Sequence, residues 1–147
     1  MNWVGQKHAR GCGVAVLSML TGRDYDLVAA TWCPHLDLEK QGLYLRGLDD
    51  YLTDHGYAVA RKSRFYGMFS EGGAILREPW PPNPFADVHV CEVEVYECAP
   101  TFHFVVMLRA GVCLDPLTPT PRRLGDYYRV NSVTGVYRVA LPEDDCP

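Results

Sequence analysis

The stretch Gly13-Val14-Ala15-Val16-Leu17-Ser18-Met19-Leu20 limits the fold more than any other part of the chain. Wound as a helix, it is apolar on nearly every side. Such a helix is stable in water only when other elements cover it all round. Thr21-Gly22 is a natural stop, because glycine suits the left-handed position after a helix. Asp24 is placed to cap a second helix running to about Trp32, ahead of Pro34. Leu45, Leu48, Tyr51 and Leu52 repeat at helical spacing in a third segment that begins near Gly42 and ends at His55-Gly56.

Beyond Gly56 the period changes. Tyr57 to Ala60 and Ala74 to Leu76 read as short strands. Pro79-Trp80-Pro81-Pro82-Asn83-Pro84 excludes regular structure, since each proline lacks an amide donor. Val88 to Glu97 alternates in the manner of a half-buried strand, and Phe102 to Leu108 is apolar enough for a central one. Arg109-Ala110-Gly111 turns the chain into Val112-Cys113-Leu114. Tyr127 to Val130 and Val136 to Leu141 read as a closing hairpin around Ser132-Val133-Thr134-Gly135, followed by an acidic tail from Pro142 to Pro147 that frays. Helices first and strands second is the order of an α+β fold, with N-terminal helices packed on a C-terminal antiparallel sheet. The 147 residues suit a single domain, 1–147.

A net charge of −4, with basic runs no longer than Arg61-Lys62-Ser63-Arg64, offers no footprint for nucleic acid or an anionic membrane. No apolar run reaches the roughly 18 residues of a membrane span. The start, Met1-Asn2-Trp3-Val4-Gly5-Gln6, lacks the regions of an export signal, so a cytoplasmic location with reduced thiols is expected. The six cysteines include no Cys-x-x-Cys pair, and Cys91, Cys98 and His103 match no common zinc spacing. Neither a metal nor another cofactor is expected. Cys33, Cys91 and Cys113 read as small buried apolar residues.

Chemistry is expected from Cys12 and His103. Cys12 opens the buried helix, where unpaired amides and the helix dipole favour an anion. His103 opens the central strand, and an imidazolium beside the thiol would stabilise a thiolate further. Asp115 follows His103 by twelve residues, so a return strand brings it beside the ring as an orienting carboxylate; Asp87 and Asn131 are weaker candidates for that role. The Cys12 amide and the Gln6 side-chain amide are candidate oxyanion donors. Gly13, without a Cβ, is expected to let substrate approach closely. Phe102, Trp80 and Phe85 are expected as further substrate contacts, the last two on a lid or wall formed by Ser70 to Phe85. Each residue alone is compatible with an ordinary core or loop position. Their joint presence points to nucleophilic catalysis.

Gln6, Cys12-Gly13, and then Ala15, Leu17 and Met19 resemble the N-terminal motif of the bacteriocin-processing peptidases, papain-like enzymes that remove double-glycine leaders. His103-Phe104-Val105-Val106 and Asp115-Pro116 are similar to that family's second and third motifs, in the same order. The resemblance covers about Val4 to Leu141. It implies a papain-like fold with Cys12 as nucleophile, His103 as base, Asp115 as orienter and Gln6 in the oxyanion hole. The chain departs from the family at Gly11, where an acidic residue is common, and at Val14, where Pro or Ala is common. Transporter-linked members carry membrane and ATPase domains, so the leader-peptide substrate does not transfer to this chain. The expected function is hydrolysis of a peptide or isopeptide bond in a peptide or protein substrate, through a thioester acyl-enzyme. Two alternatives are a non-catalytic peptide-binding module on the same scaffold and an acyl transferase using the same triad.

Overall fold

The computed structural model describes residues 1–63, 86, 88–95 and 102–139. Three helices precede a six-stranded sheet among them. Helix α1 (Cys12–Thr21) buries every residue from Gly13 to Leu20. It is enclosed by α2 (Tyr25–Trp32), α3 (Leu45–Asp54) and the sheet. Val14, Val16 and Leu17 are wholly inaccessible, and each such side chain contributes about 1.5–3 kcal/mol by leaving water. Gly22 ends α1 in the left-handed region at φ 71°, with its amide donating to Ser18 O. The Asp24 carboxylate accepts from the amides of Asp26 and Leu27 at the start of α2.

The strands are β1 (Tyr57–Ser63), β2 (Val88–Glu94), β3 (Phe102–Leu108), β4 (Val112–Asp115), β5 (Thr118–Arg123) and β6 (Arg129–Arg138). Their spatial order is β1-β6-β2-β3-β4-β5, and every pairing is antiparallel. One face of the sheet sends Val90, Phe104, Val106, Leu114 and Val136 into the core shared with the helices. The other face gathers Cys91, Val93, Val105, Met107, Cys113, Tyr127, Val130 and Val133. Strand β3 is therefore buried on both faces, which explains its nearly unbroken apolar sequence. Cys33, Cys91 and Cys113 are buried free thiols, as their context implies.

The sheet departs from the expected layout in two places. The closing hairpin is absent: residues 129–138 form one strand, paired with β1 on one side and β2 on the other. Ser132 and Thr134, which read as turn residues, are buried within it, and Gly135 lies between Ala60 and His89. Tertiary pairing on both edges outweighs the local turn preference. The second difference is β5, whose Pro119 and Pro121 gave no strand signal. It is an edge strand, where a missing amide on the outer side costs no ladder bond. The segments expected at Ala74–Leu76, Pro79–Pro84 and Pro142–Pro147 lie outside the described residues. Among those described, no helix is long and apolar enough to cross a membrane.

Candidate active site

Cys12 is half-buried at the first position of α1. Gly11 precedes it, and no side chain caps the helix. The first-turn amides thus leave the positive end of the helix dipole open beside the sulfur.

Helix α1 packs on β3, and His103 near the start of that strand comes to the same helix end. The His103 ring faces two groups. Nε2 donates to Asp115 Oδ1 at 2.7 Å, and the Cys12 thiol shares the cleft with the ring and acts on its pKa. With Nε2 occupied, Nδ1 is the atom left for sulfur. Burial alone would lower the His103 pKa. The hydrogen bonds to Asp115 and Cys12, and their negative charges, override burial and raise it to about 9.

Asp115 closes β4 and is buried. The β3–β4 register, Val106 opposite Leu114 and Met107 opposite Cys113, carries it back toward His103. Its Oδ1 also accepts from the Leu117 amide at 2.8 Å, and its Oδ2 accepts from the Tyr127 hydroxyl at 2.7 Å. The Arg122 Nε stands 3.8 Å from Oδ2. Burial pushes the carboxyl pKa up, but these donors, His103 first, outweigh it and hold the pKa below the ordinary value. The backbone is pinned as well: the Trp3 indole donates to Asp115 O at 2.7 Å, and the Gln6 amide to Pro116 O at 3.1 Å.

Cys12, His103 and Gln6 line one cleft of about 420 Å³, with Arg10, Leu43, Tyr44, Phe102 and Leu117 among its other walls. Tyr44, Phe102 and Leu117 are largely exposed there, so the rim offers apolar surface. The Gln6 side chain is turned into its own loop. Its Nε2 donates to His8 O and Ala9 O, both at 3.0 Å, while Oε1 is buried without a partner. The amide hydrogens expected at an oxyanion are therefore engaged elsewhere.

Gly13, expected to let substrate approach, faces the interior. It is buried, and a Cβ there would sit 3.0 Å from Leu43 Cβ and 3.1 Å from Leu48 Cδ1. Its small size lets α1 pack closely against the segment leading into α3. Asn131 lies at the bulge where β6 shifts register opposite Glu92 and Val93, and Asp115 occupies the position beside the imidazole. Trp80, Phe85 and Asp87 lie outside the described residues. No three His, Cys, Asp or Glu side chains among the described residues gather as metal ligands.

Sequence reading missed Tyr127 and Trp3. Nothing local marks either residue, because both reach Asp115 only after distant segments have folded together.

No protein-family model and no curated protein matches the chain. Its fold is similar to that of the peptidase domain of ComA from Streptococcus, a bifunctional ABC transporter involved in a quorum-sensing pathway. The match covers 90% of this chain and 95% of that one, with a TM-score of 0.56 and 14% sequence identity. At that identity the likeness carries the architecture alone. The chain has the α+β fold of a papain-like peptidase domain, with helices packed on an antiparallel sheet.

Proposed function

We infer that the chain is a cysteine peptidase acting on a peptide or protein segment held across the cleft. The observation that carries this reading is the His103 ring, bonded to Asp115 at Nε2 and lining the same cleft as the Cys12 thiol. Cys12 gives its proton to His103 and attacks the scissile carbonyl. The His103 proton passes from Nδ1 to the leaving amine, and the thioester remains on Cys12. His103 then takes a proton from water, whose oxygen displaces sulfur and releases the acid. Asp115 keeps the ring oriented and its charge compensated throughout.

The oxyanion is held first by the amides at the start of α1, which no side chain caps. Gln6 joins them only by giving up its bonds to His8 O and Ala9 O. That engagement also favours a second reading, a peptide-binding module that holds its ligand without cutting it. The two readings part at Cys12→Ala. For the peptidase, this variant loses all peptide turnover and all labelling by a thiol-directed inhibitor while still binding peptide. Turnover that survives in Cys12→Ala refutes the assignment. A wild-type protein that binds peptides with no turnover, and whose Cys12 reacts as an ordinary thiol, selects the binding module.

A further inference from the structure

We propose that Tyr127 is a positioning residue of this site, holding the Asp115 carboxylate in the one rotation that presents Oδ1 to His103. The proposal rests on the reading of Cys12, His103 and Asp115 as one reaction centre. Its geometry is specific. The two carboxylate oxygens have divided tasks: Oδ1 serves His103 Nε2 and the Leu117 amide, and Oδ2 accepts the Tyr127 hydroxyl at 2.7 Å. Tyr127 is 1% exposed, so water does not replace that donor readily. The next donor toward Oδ2, Arg122 Nε, is 3.8 Å away, beyond hydrogen-bond range, on a side chain that is 41% exposed.

A carboxylate held at one oxygen can swing about its Cβ–Cγ bond, whereas one held at both cannot. Tyr127 comes from the segment entering β6, and Asp115 from β4. The bond therefore ties the sheet's second core cluster to the orientation of the imidazole. The hydroxyl also remains a donor. Burial and its bond to Asp115 push its pKa far above the ordinary tyrosine range. The other titratable groups around the pair are Cys12 from α1, Arg122 from β5, and Cys113 on the Asp115 strand. Cys113 is raised to about 12 by burial and by the Asp115 and Asp126 charges, so it stays a neutral thiol.

The test needs no knowledge of the substrate. The His103 ring is titrated by NMR in protein labelled with ¹⁵N-histidine. Alkylation of Cys12 by iodoacetamide is followed by peptide mass spectrometry at pH 6 and pH 9. In Tyr127→Phe the carboxylate turns, His103 holds its proton less well, and the ring's midpoint falls by about one pH unit, which leaves the imidazolium nearly complete at pH 6 and cuts it about fivefold at pH 9. The alkylation rate at pH 6, where the ring is protonated in both proteins, stays near the wild-type value, and the rate at pH 9 departs from it. A structural role alone would leave the midpoint and the ratio of the two rates unchanged, and that result overturns the proposal.

Should Tyr127→Phe fail to fold, two residues of tyrosine's shape replace it at position 127. 4-Fluorophenylalanine fills the space without donating and should reproduce the loss. 4-Aminophenylalanine keeps an N–H donor and should restore the wild-type midpoint. Equal midpoints in the two variants overturn the proposal. A wild-type Cys12 with no enhanced reactivity at pH 6 sinks the reaction-centre reading and this inference together. Enhanced reactivity at pH 6 together with a ring midpoint indifferent to position 127 sinks this inference alone.

Discussion

The two halves of the cleft are built on opposite plans. Cys12 stands at an uncapped helix end, half-buried, against the margin of the helix–sheet core. His103 and Asp115 are 6% and 2% exposed and belong to a dense hydrogen-bonded cluster that includes Tyr127, Leu117 and Trp3. The thiol half is open and replaceable, whereas the imidazole–carboxylate half is part of the core. Reactivity and stability should therefore respond to different residues.

The sharpest way to break this contrast is to truncate one residue from each half. Asp115→Ala leaves an imidazolium, a tyrosine hydroxyl and an amide buried without their common acceptor, and removing one partner of a buried ion pair typically costs about 3–5 kcal/mol. Cys12→Ala should change stability by less than about 1 kcal/mol, since it removes one half-buried sulfur at a helix end. Urea unfolding followed by circular dichroism measures both. Equal losses in the two variants would erase the distinction.

Next in size is the effect of pH. The folded His103 pKa is about 9, against an ordinary value of 6.5. Its contribution is fully present below pH 6.5 and is lost as pH rises through 9, a loss on the order of 3 kcal/mol. Asp115, held below its ordinary value of 3.8, contributes above that pH and is lost on acidification. Urea midpoints should therefore be highest between these limits and fall toward pH 9. In Cys12→Ala the alkaline fall should be smaller, because the bond from Cys12 is part of what raises the ring's pKa. A wild-type midpoint that stays flat from pH 6.5 to 9 would show that the buried pair does not store stability as its geometry requires.

The smallest effect concerns the joint between the halves. Gly13→Ala forces a methyl against Leu43 and Leu48, and overpacking of this kind costs about 1–3 kcal/mol. Because α1 would shift, Cys12 alkylation should slow along with the loss of stability. Destabilisation without slower alkylation would show that the packing beneath α1 does not set the thiol's position.

Much of the architecture was legible in the chain, for identifiable physical reasons. Helix α1 announces itself because eight consecutive residues are buried together, and β3 because both its faces meet core. Asp24 is readable because capping is a local interaction. Of the residues singled out for chemistry, Cys12, His103 and Asp115 meet in space. Their helix-end, strand-start and return-strand positions follow from local pattern. What escaped depends on distant partners. Strand β6 passes through Ser-Val-Thr-Gly because two neighbouring strands satisfy its backbone, and β5 tolerates prolines because it has one free edge. The packing of Gly13 was not legible, because Leu43 and Leu48, its neighbours, are some thirty positions away. Tyr127 and Trp3 carry no local signal at all.

The indole of Trp3 meets the carbonyl of Asp115 across 112 positions of chain. Closing so long a loop is slow, because its entropy must be lost before the contact rewards it. A nascent polypeptide extruded only as far as α3 therefore carries its sulfur without the imidazole or the strand that steers it. The cleft is complete only when the leading segment meets the trailing sheet.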